Sequence, residues 1–299
     1  MSIKFIKYYK IYFIFSIILI LVSLVSLFIF GLKGGIDFTG GSILEVEYKT
    51  ERPANPEIRQ QLADLNLGEI YLQPTGEKGL ILRTKDVNEE THQEILQRLG
   101  GDDNLEEKRF ESIGPAIGKE LKEKTNMVVL LSLFAIVLYI AFAFRRVSFP
   151  AKSWQYGIAS LIVLSHDVLI TLGVFSILGK FYGIQITIPV ITALLTVVGY
   201  AINNVVVVYD RLRENLLRTR SKQEDFPQLA DNAINQTLSR QINTSLTTLI
   251  PLIFIFFMGG ETLKYFALTL IIGIIAGTYS SIFLACPILV AWLRRKKVI

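Results

Sequence analysis

Six long runs of apolar residues limit this chain to one class of structure, a bundle of helices that cross a membrane. A helix needs about 20 mostly apolar residues to cross the ~30 Å hydrocarbon core of a bilayer. Hydrophobic residues make up 51% of the 299 residues, and charged residues only 19%. The expected spans are Ile11–Phe30, Met127–Phe144, Tyr156–Leu178, Ile186–Val208, Ile242–Met258 and Tyr265–Leu293.

Basic residues predict the orientation of these spans. Loops rich in Lys and Arg stay on the cytoplasmic side, so six spans with basic ends place both termini in the cytoplasm. The segment 32–126, expected on the opposite side, holds 19 acidic and 13 basic residues. The net charge of +5 therefore reflects the orientation of the chain in the membrane. It does not indicate a nucleic-acid partner. The cytoplasmic basic residues are Lys4, Lys7, Lys10, Arg145, Arg146, Lys152, Arg211, Arg213, Arg218, Arg220, Lys222, Arg294, Arg295, Lys296 and Lys297.

The segment between the first two spans has the pattern of a small α+β domain. Its strands and helices follow the order β-α-β-β-α-β of the ferredoxin-like motif, with Asn55 and Asn88 as expected helix caps. The single Cys286 lies in the last span, so this domain must fold without a disulfide. The expected elements are Ser42–Lys49, Pro56–Leu65, Glu69–Gln73, Leu80–Lys85, Glu89–Leu99 and Asn104–Ile113.

We therefore expect an α-helical polytopic membrane protein, with six transmembrane helices and a ferredoxin-like α+β extracytoplasmic domain after the first helix. The polar segment 209–241 is interpreted as a cytoplasmic helical hairpin, with a plain charged connector as the alternative. The expected segments are 1–31 (first transmembrane helix), 32–126 (extracytoplasmic domain), 127–208 (helices two to four), 209–241 (hairpin) and 242–299 (helices five and six with a basic tail).

Polar residues within the spans are the candidate functional residues. A charged side chain in the hydrocarbon core costs roughly 2.5–3.5 kcal/mol on insertion scales, so it usually faces protein or water. Asp167 and Arg240 are therefore candidates for a functional role. The adjacent residues Asn203 and Asn204 are further candidates. Serine and threonine also serve in helix packing, which is the simpler explanation for the hydroxyl positions. The expected one-face stripes are Thr192, Thr196, Tyr200 and Asn204 in span four, and Gln236, Arg240, Asn243, Thr244 and Thr247 in span five.

Two familiar kinds of site do not fit the sequence. Ser165, His166 and Asp167 are consecutive, and successive side chains on a helix point about 100° apart, so they are not expected to converge as a catalytic triad. The glycine-rich segment 34–41 lacks the lysine of a phosphate-binding loop and is interpreted as a tight turn. We expect no enzyme activity, no metal and no bound cofactor.

Five motifs resemble those of the SecD/SecF family of protein-export membrane proteins, transporters of the resistance-nodulation-division type. GGIDFTGG contains Gly35, Asp37, Gly40 and Gly41, and VVGYAINNVVVVYDRLRENL contains the pair Asp210 and Arg211. The other three are ESIGPAIGKEL, SHDVLITLGVFS and NQTLSRQINTSLTTL. The resemblance extends from the first span to the last in the expected order.

The resemblance implies a role in protein export across the bacterial inner membrane. It implies pairing with SecD and work beside the SecYEG channel, with YajC and YidC as further candidate partners. Protons would be the coupling ion, and the substrate would be a translocating unfolded polypeptide.

The resemblance also assigns a proton pathway. The family carboxylate of span four falls on Asn204, its arginine on Arg240, and Asp167 lies in the SHD motif; Tyr200, Asn203 and Thr244 accompany them. Asparagine cannot release a proton, so Asn204 could hydrogen-bond to Arg240 but could not switch that contact. Whether Asn204 is natural or an engineered replacement stays open. Two other functions also stay open: a non-titrating scaffold for SecD and the channel, and a stand-alone six-helix transporter.

Overall fold

The computed structural model describes residues 3–143, 151–218 and 225–295. Within these ranges, six helices are long and apolar enough to cross a membrane, which confirms the six expected spans. The end of the second expected span, Phe144, lies outside the described residues, as do the basic residues Arg145, Arg146, Arg220, Lys222, Lys296 and Lys297.

The helices extend beyond the apolar runs that predicted them. Span four ends ten residues later than its apolar run, at Arg218, and span five begins at Phe226. The 209–241 segment is therefore formed by the polar ends of two long helices, with 219–224 undescribed. The helices are α1 (Tyr9–Phe30), α2 (Ile36–Thr39), α3 (Asn55–Gln61), α4 (Glu89–Leu99), α5 (Gly101–Asn104), α6 (Pro115–Ala143), α7 (Ser153–Tyr182), α8 (Ile188–Arg218), α9 (Phe226–Met258), α10 (Glu261–Ser280) and α11 (Cys286–Arg295).

The described chain divides into two compact units. The first, here called the membrane unit, comprises Met1–Leu32, Val128–Ile184 and Ile188–Ile299. The second, here called the sheet unit, comprises Lys33–Met127 and the short segment Gln185–Thr187.

Small residues let the helices of the membrane unit approach closely. A Cβ at Gly173 of α7 would lie 2.4 Å from the Ser23 side chain of α1, and one at Gly273 of α10 would lie 2.2 Å from the Val197 side chain of α8. Helix pairs in lipid associate through such close packing, because hydrocarbon provides no hydrophobic driving force between them. These glycines therefore allow the close approach of α1 to α7 and of α10 to α8; α10 also packs on α7 and α9.

A short π-helical segment, Ser281–Ala285, interrupts the last span between α10 and α11. The sequence indicated one continuous helix there. A π-turn is wider than an α-turn and occurs often at functional sites. It changes the direction in which the adjacent side chains point, and Ser280 and Ser281 are both fully buried.

The sheet unit confirms the ferredoxin-like fold. Its strands are β1 (Gly41–Tyr48), β2 (Tyr71–Thr75), β3 (Gly79–Thr84) and β4 (Leu105–Ile113). They form one antiparallel sheet in the order β2-β3-β1-β4, with Leu44 opposite both Leu82 and Phe110. The alternation of β1 turns Leu44, Val46 and Tyr48 toward the helices α3 and α4, where they join a buried apolar core.

One of the two expected helix caps is confirmed. The Asn88 side chain accepts a hydrogen bond from the backbone N–H of Thr91 at 3.0 Å, which satisfies one of the free N–H groups at the start of α4. The cap expected at Asn55 is wrong. Helix α3 begins at Asn55 itself, the preceding Ala54 has no side-chain acceptor, and Pro56 is favoured at an early helix position.

Candidate functional site: polar residues of the membrane unit

Asp167 is the centre of a buried polar cluster in the membrane unit. Its side chain is 0% exposed, near the middle of α7. Ser280 Oγ of α10 donates a hydrogen bond to Asp167 Oδ2 at 2.8 Å, and His166 Nδ1 lies 2.9 Å from Asp167 Oδ1. The carboxylate thus has a hydrogen-bonding neighbour at each oxygen.

His166 contacts Asp167 although the two residues are consecutive. The expectation concerned all three residues of a triad, and it holds, because only His166 and Asp167 enter the same buried space. Ser165 is exposed, so the three residues do not form a catalytic triad. The imidazole of His166 lies nearly parallel to the Tyr279 ring, with 6.0 Å between centroids. Its Nε2 is buried with no hydrogen-bond partner among the described residues.

The π-helical segment connects the Asp167 cluster with α9. Ser280 faces Asp167, while Ser281 donates a hydrogen bond to Gln241 Oε1 of α9 at 2.5 Å. Gln241 in turn donates to Thr237 Oγ1 at 3.2 Å. Two adjacent serines on the last span therefore hydrogen-bond to two different helices.

A second group of hydroxyls joins α8, α9 and α10. Tyr200 OH lies 3.1 Å from Ser245 Oγ, which lies 2.6 Å from Thr278 Oγ1. Tyr200, expected on the proton pathway, is half-buried, and its hydroxyl joins α8 to α9. Ser245 and Thr278 were not expected from the sequence.

The structure does not bring Asn204 and Arg240 together. Asn204 is 2% exposed, and its Nδ2 has no hydrogen-bond partner in the described ranges. Arg240 is exposed on α9, as are Asn203 on α8 and Thr244 on α9. Thr244 Oγ1 donates to the backbone oxygen of Arg240 at 2.8 Å, a bond that lies within its own helix.

Exposed polar side chains lie along α8 and α9, within the expected spans or at their edge. We call this set the lateral polar face: Thr192, Thr196 and Asn203 of α8, and Arg240, Asn243, Thr244 and Thr247 of α9. The expected four-residue stripe on α8 is only partly correct, because Thr192 and Thr196 are exposed whereas Asn204 is buried. A guanidinium in this position is rarely left against lipid.

The signature glycines shape the entry to β1. The segment between Gly34 and Gly41 contains the one-turn helix α2 instead of the plain turn expected, and Asp37 lies in that helix. Gly35 N–H donates to the Ile186 backbone oxygen at 2.7 Å, and a Cβ there would lie 2.9 Å from Thr187. Gly40 and Gly41 have φ of +71° and +127°, which L residues with side chains rarely adopt.

The other signature pair, Asp210 and Arg211, lies in the polar end of α8. Asp210 is exposed and 3.6 Å from Arg213. Arg211 donates to Gln236 Oε1 of α9 at 2.7 Å and pairs with Glu214. Arg211 therefore ties the polar ends of α8 and α9 together.

Sequence reasoning missed the partners of Asp167. Ser280, Ser281 and Gln241 carry the buried hydrogen bonds, and their only sequence signal is polarity inside or beside an apolar run. The adjacent pair of serines in the last span was the strongest such signal, because two neighbouring hydroxyls in lipid both need partners.

Comparisons with known proteins identify the family. A family model described as "Protein export membrane protein SecD/SecF, C-terminal" matches residues 92–295, and one described as "SecD/SecF GG Motif" matches residues 25–51. The second match contains the glycine segment that leads into β1.

Individual relatives agree with the family models. The "Protein translocase subunit SecF" of Thermobaculum terrenum is 40% identical over 89% of this chain and 86% of its own length. The "Protein translocase subunit SecDF" of Thermus thermophilus is 36% identical over 91% of this chain, which spans 36% of that relative. The crystal structure of SecDF from the same organism superposes with a TM-score of 0.82 at 32% identity, covering 99% of this chain and 39% of that chain. The chain is a multi-pass membrane protein of the SecD/SecF family and corresponds to its SecF subunit.

Proposed function

We propose that the chain is one half of a proton-driven SecD–SecF unit that assists protein export across the bacterial inner membrane. Both termini face the cytoplasm, as the basic ends of the spans predict, and the sheet unit faces outward. The chain works without enzymatic chemistry of its own, on unfolded polypeptide leaving the SecYEG channel. YajC and YidC are further candidate partners.

SecD covers the lateral polar face in this proposal. Asn203 is exposed within span four, and Arg240 is exposed just before the expected start of span five; a charge facing lipid is costly unless protein or water surrounds it. The relative that carries SecD and SecF in its name is a single chain of which this sequence matches about a third. That arrangement supports a SecD-like partner of this chain.

Asp167 is the titrating group of this half. The single observation that carries the proposal is its complete burial with a hydrogen-bonding group at each carboxylate oxygen. An ionised carboxylate accepts hydrogen bonds from Ser280 and from an Nδ1–H of His166, whereas a protonated one must donate from one oxygen. Proton binding therefore changes the hydrogen bonds that hold α7 to α10.

The π-helical segment passes this change to α9. Ser280 bonds to Asp167 and the adjacent Ser281 bonds to Gln241, so movement of Ser280 alters the contact between α10 and α9. Helix α9 also carries Arg240. A proton that reaches Asp167 thus shifts the helix that faces SecD, which is the kind of two-state element that coupling requires.

A non-titrating scaffold is the second candidate function. It is favoured by Asn204, which cannot release a proton and occupies the position that the family resemblance assigns to a carboxylate. The third possibility, a stand-alone transporter, is less well supported because it would leave Arg240 and Asn203 exposed to lipid.

Proton flux separates the two leading functions. The chain is reconstituted with SecD in vesicles, and pH-gradient-driven flux is measured for the sequence as it stands and for Asp167→Asn, Asn204→Asp and Asp210→Asn. We expect proton flux in the unmodified chain and a decrease of at least about tenfold in Asp167→Asn. Proton transfer by a positioned acid or base side chain typically contributes 10²–10⁴-fold to a rate.

Asp210→Asn is the matched control, since it removes an exposed carboxylate of the same unit. It should leave the flux unchanged. Flux that is absent from the unmodified chain and present only in Asn204→Asp would support the scaffold. Flux that persists in Asp167→Asn would overturn the role of Asp167.

A further inference from the structure

A cavity at one end of the membrane unit is lined by charges of both signs. Its volume is about 580 Å³, within the ~300–1,000 Å³ typical of small-molecule sites. The beginning of the first span, the beginning of α9 and the end of α11 form its walls. The polar lining consists of Lys4, Lys7, Asp225, Gln228, Asp231, Asn232 and Arg294.

Among the described residues, the charges around the cavity make no short contacts with one another, although Lys4 attracts the Asp231 carboxylate at longer range. Within the described residues, Lys4, Lys7 and Arg294 form no ion pair with a carboxylate; Lys7 and Arg294 instead lie over tyrosine rings, at 5.5 and 6.0 Å. Asp225 precedes α9 without capping it through its side chain. Asp231 is already engaged, because its Oδ1 accepts a hydrogen bond from Ile6 N–H at 2.8 Å.

The cavity lies at the depth of lipid headgroups. Helix α1 runs from Tyr9 to Phe30, a length of about 33 Å at 1.5 Å per residue, which is close to the ~30 Å hydrocarbon core. Lys4 and Lys7 come just before it, at the boundary. Aromatic residues mark the same end of the unit: Trp154 and Trp292 meet edge-to-face at 5.1 Å, and tryptophan concentrates at membrane interfaces.

We propose that this cavity binds the headgroup of a zwitterionic phospholipid with a primary ammonium group, of the phosphatidylethanolamine type. Lys4, Lys7 and Arg294 contact the phosphate. The carboxylate of Asp225 accepts N–H bonds from the ammonium group, with the side-chain oxygen of Asn232 as a second acceptor.

The mixed lining distinguishes this headgroup from the common alternatives. Phosphatidylglycerol has no cation, so Asp225 would face only a phosphate and a glycerol. Phosphatidylcholine carries a cation without N–H donors, so it satisfies the charge of Asp225 but none of its hydrogen bonds. The site should therefore prefer ethanolamine to choline and should not prefer a purely anionic lipid.

Native mass spectrometry of the full-length protein tests the proposal. The detergent-purified chain is offered equal amounts of phosphatidylethanolamine, phosphatidylcholine and phosphatidylglycerol with identical acyl chains, and the bound lipids are counted. We expect a roughly three- to fivefold preference for ethanolamine over choline, the scale of a partly exposed charged hydrogen bond. Asp225→Ala, which removes the acceptor, should abolish the preference, and Lys7→Gln or Arg294→Gln should reduce retention of all three lipids.

Matched variants separate this site from general surface charge. Lys10→Gln, on α1 outside the cavity, and Asp210→Asn, on α8, both change exposed groups and should leave retention and preference unaltered. The proposal is overturned if phosphatidylglycerol is retained above phosphatidylethanolamine, or if Asp225→Ala keeps the preference. It is also overturned if Lys10→Gln loses as much lipid as Lys7→Gln.

Discussion

One carboxylate of the membrane unit and one of the sheet unit, Asp167 and Asp64, lie in opposite environments. In the membrane unit, Asp167 is fully buried and hydrogen-bonded to Ser280 of another helix. In the sheet unit, Arg98 bonds Asp64 and Glu94 at 2.7 Å each, but the side chain of Asp64 is 72% exposed. The two contacts have similar lengths and very different surroundings.

This difference shows that burial, and not the number of polar contacts, decides what a contact contributes. The hydrogen bond from Arg98 lowers the pKa of Asp64, yet water screens an exposed pair so strongly that its net contribution is close to zero. A buried group has no water to replace a lost partner, so its removal leaves the partner's full desolvation cost. The predictions below test this contrast.

The largest effect is expected at the centre of the buried cluster. Asp167→Ala leaves the buried His166 Nδ1 without its partner and leaves Ser280 Oγ with only the Gly277 backbone oxygen, at 3.1 Å. One unsatisfied buried nitrogen and one lost hydrogen bond should together lower the free energy of unfolding by about 2–4 kcal/mol. Denaturant titration of the purified protein in detergent, followed by tryptophan fluorescence, measures the change.

The matched control is Asp210→Ala, which removes an exposed carboxylate 3.6 Å from Arg213 in the same unit. It should change stability by no more than about 0.5 kcal/mol. Equal destabilisation by the two variants would contradict the view that burial determines the contribution of each carboxylate.

The sequence predicts the helices and strands well, but it predicts less well which residues of a helix are buried and which are exposed. Run length and the positions of turn residues are enough to place the spans and the strands, because both depend on local composition. The stripe on α8 was only partly correct because a four-residue step advances 400° on a helix with 100° per residue. Over three steps the direction drifts by about 120°, so Thr192 is exposed while Asn204 is buried.

The partners of Asp167 could not be predicted for a different reason. Ser280 and Ser281 owe their directions to the π-turn that follows α10. Pro287, two residues beyond it, removes an i→i−4 hydrogen bond to that turn, but a proline in an apolar run does not specify which side chains the wider turn brings together. The burial of Asp167 was expected from the cost of a charge in lipid, whereas the exposure of Arg240 depends on which surface a second protein covers.

Packing in the membrane unit can be broken without touching a polar group. A Cβ at Gly273 would lie 2.2 Å from Val197, so Gly273→Ala forces α10 and α8 apart. Overpacking of this kind typically costs about 1–3 kcal/mol. The same denaturant titration measures it.

Gly199→Ala provides the matched control on α8, since nothing lies within 4 Å of the added Cβ. Alanine is a better helix former than glycine by about 1 kcal/mol in water, so this variant should be neutral or slightly stabilising. A loss of stability at Gly199 equal to that at Gly273 would mean that helix flexibility, and not close packing, is what the glycines provide.

The smallest of these effects is expected at an exposed contact in the sheet unit that satisfies a backbone group. Asn88 accepts from the Thr91 N–H at the start of α4, and replacing such a cap by alanine costs about 1 kcal/mol. Hydrogen exchange of the α4 amides in the full-length protein should therefore become roughly fivefold faster in Asn88→Ala, while Asn88→Ser, which keeps a hydroxyl acceptor, should restore most of the protection. Asp64→Asn, which breaks an exposed ion pair of the same unit, should leave these amides unchanged. If it accelerates exchange as much as Asn88→Ala does, exposed ion pairs contribute as much as a cap, and the contrast between the two units does not rest on burial alone.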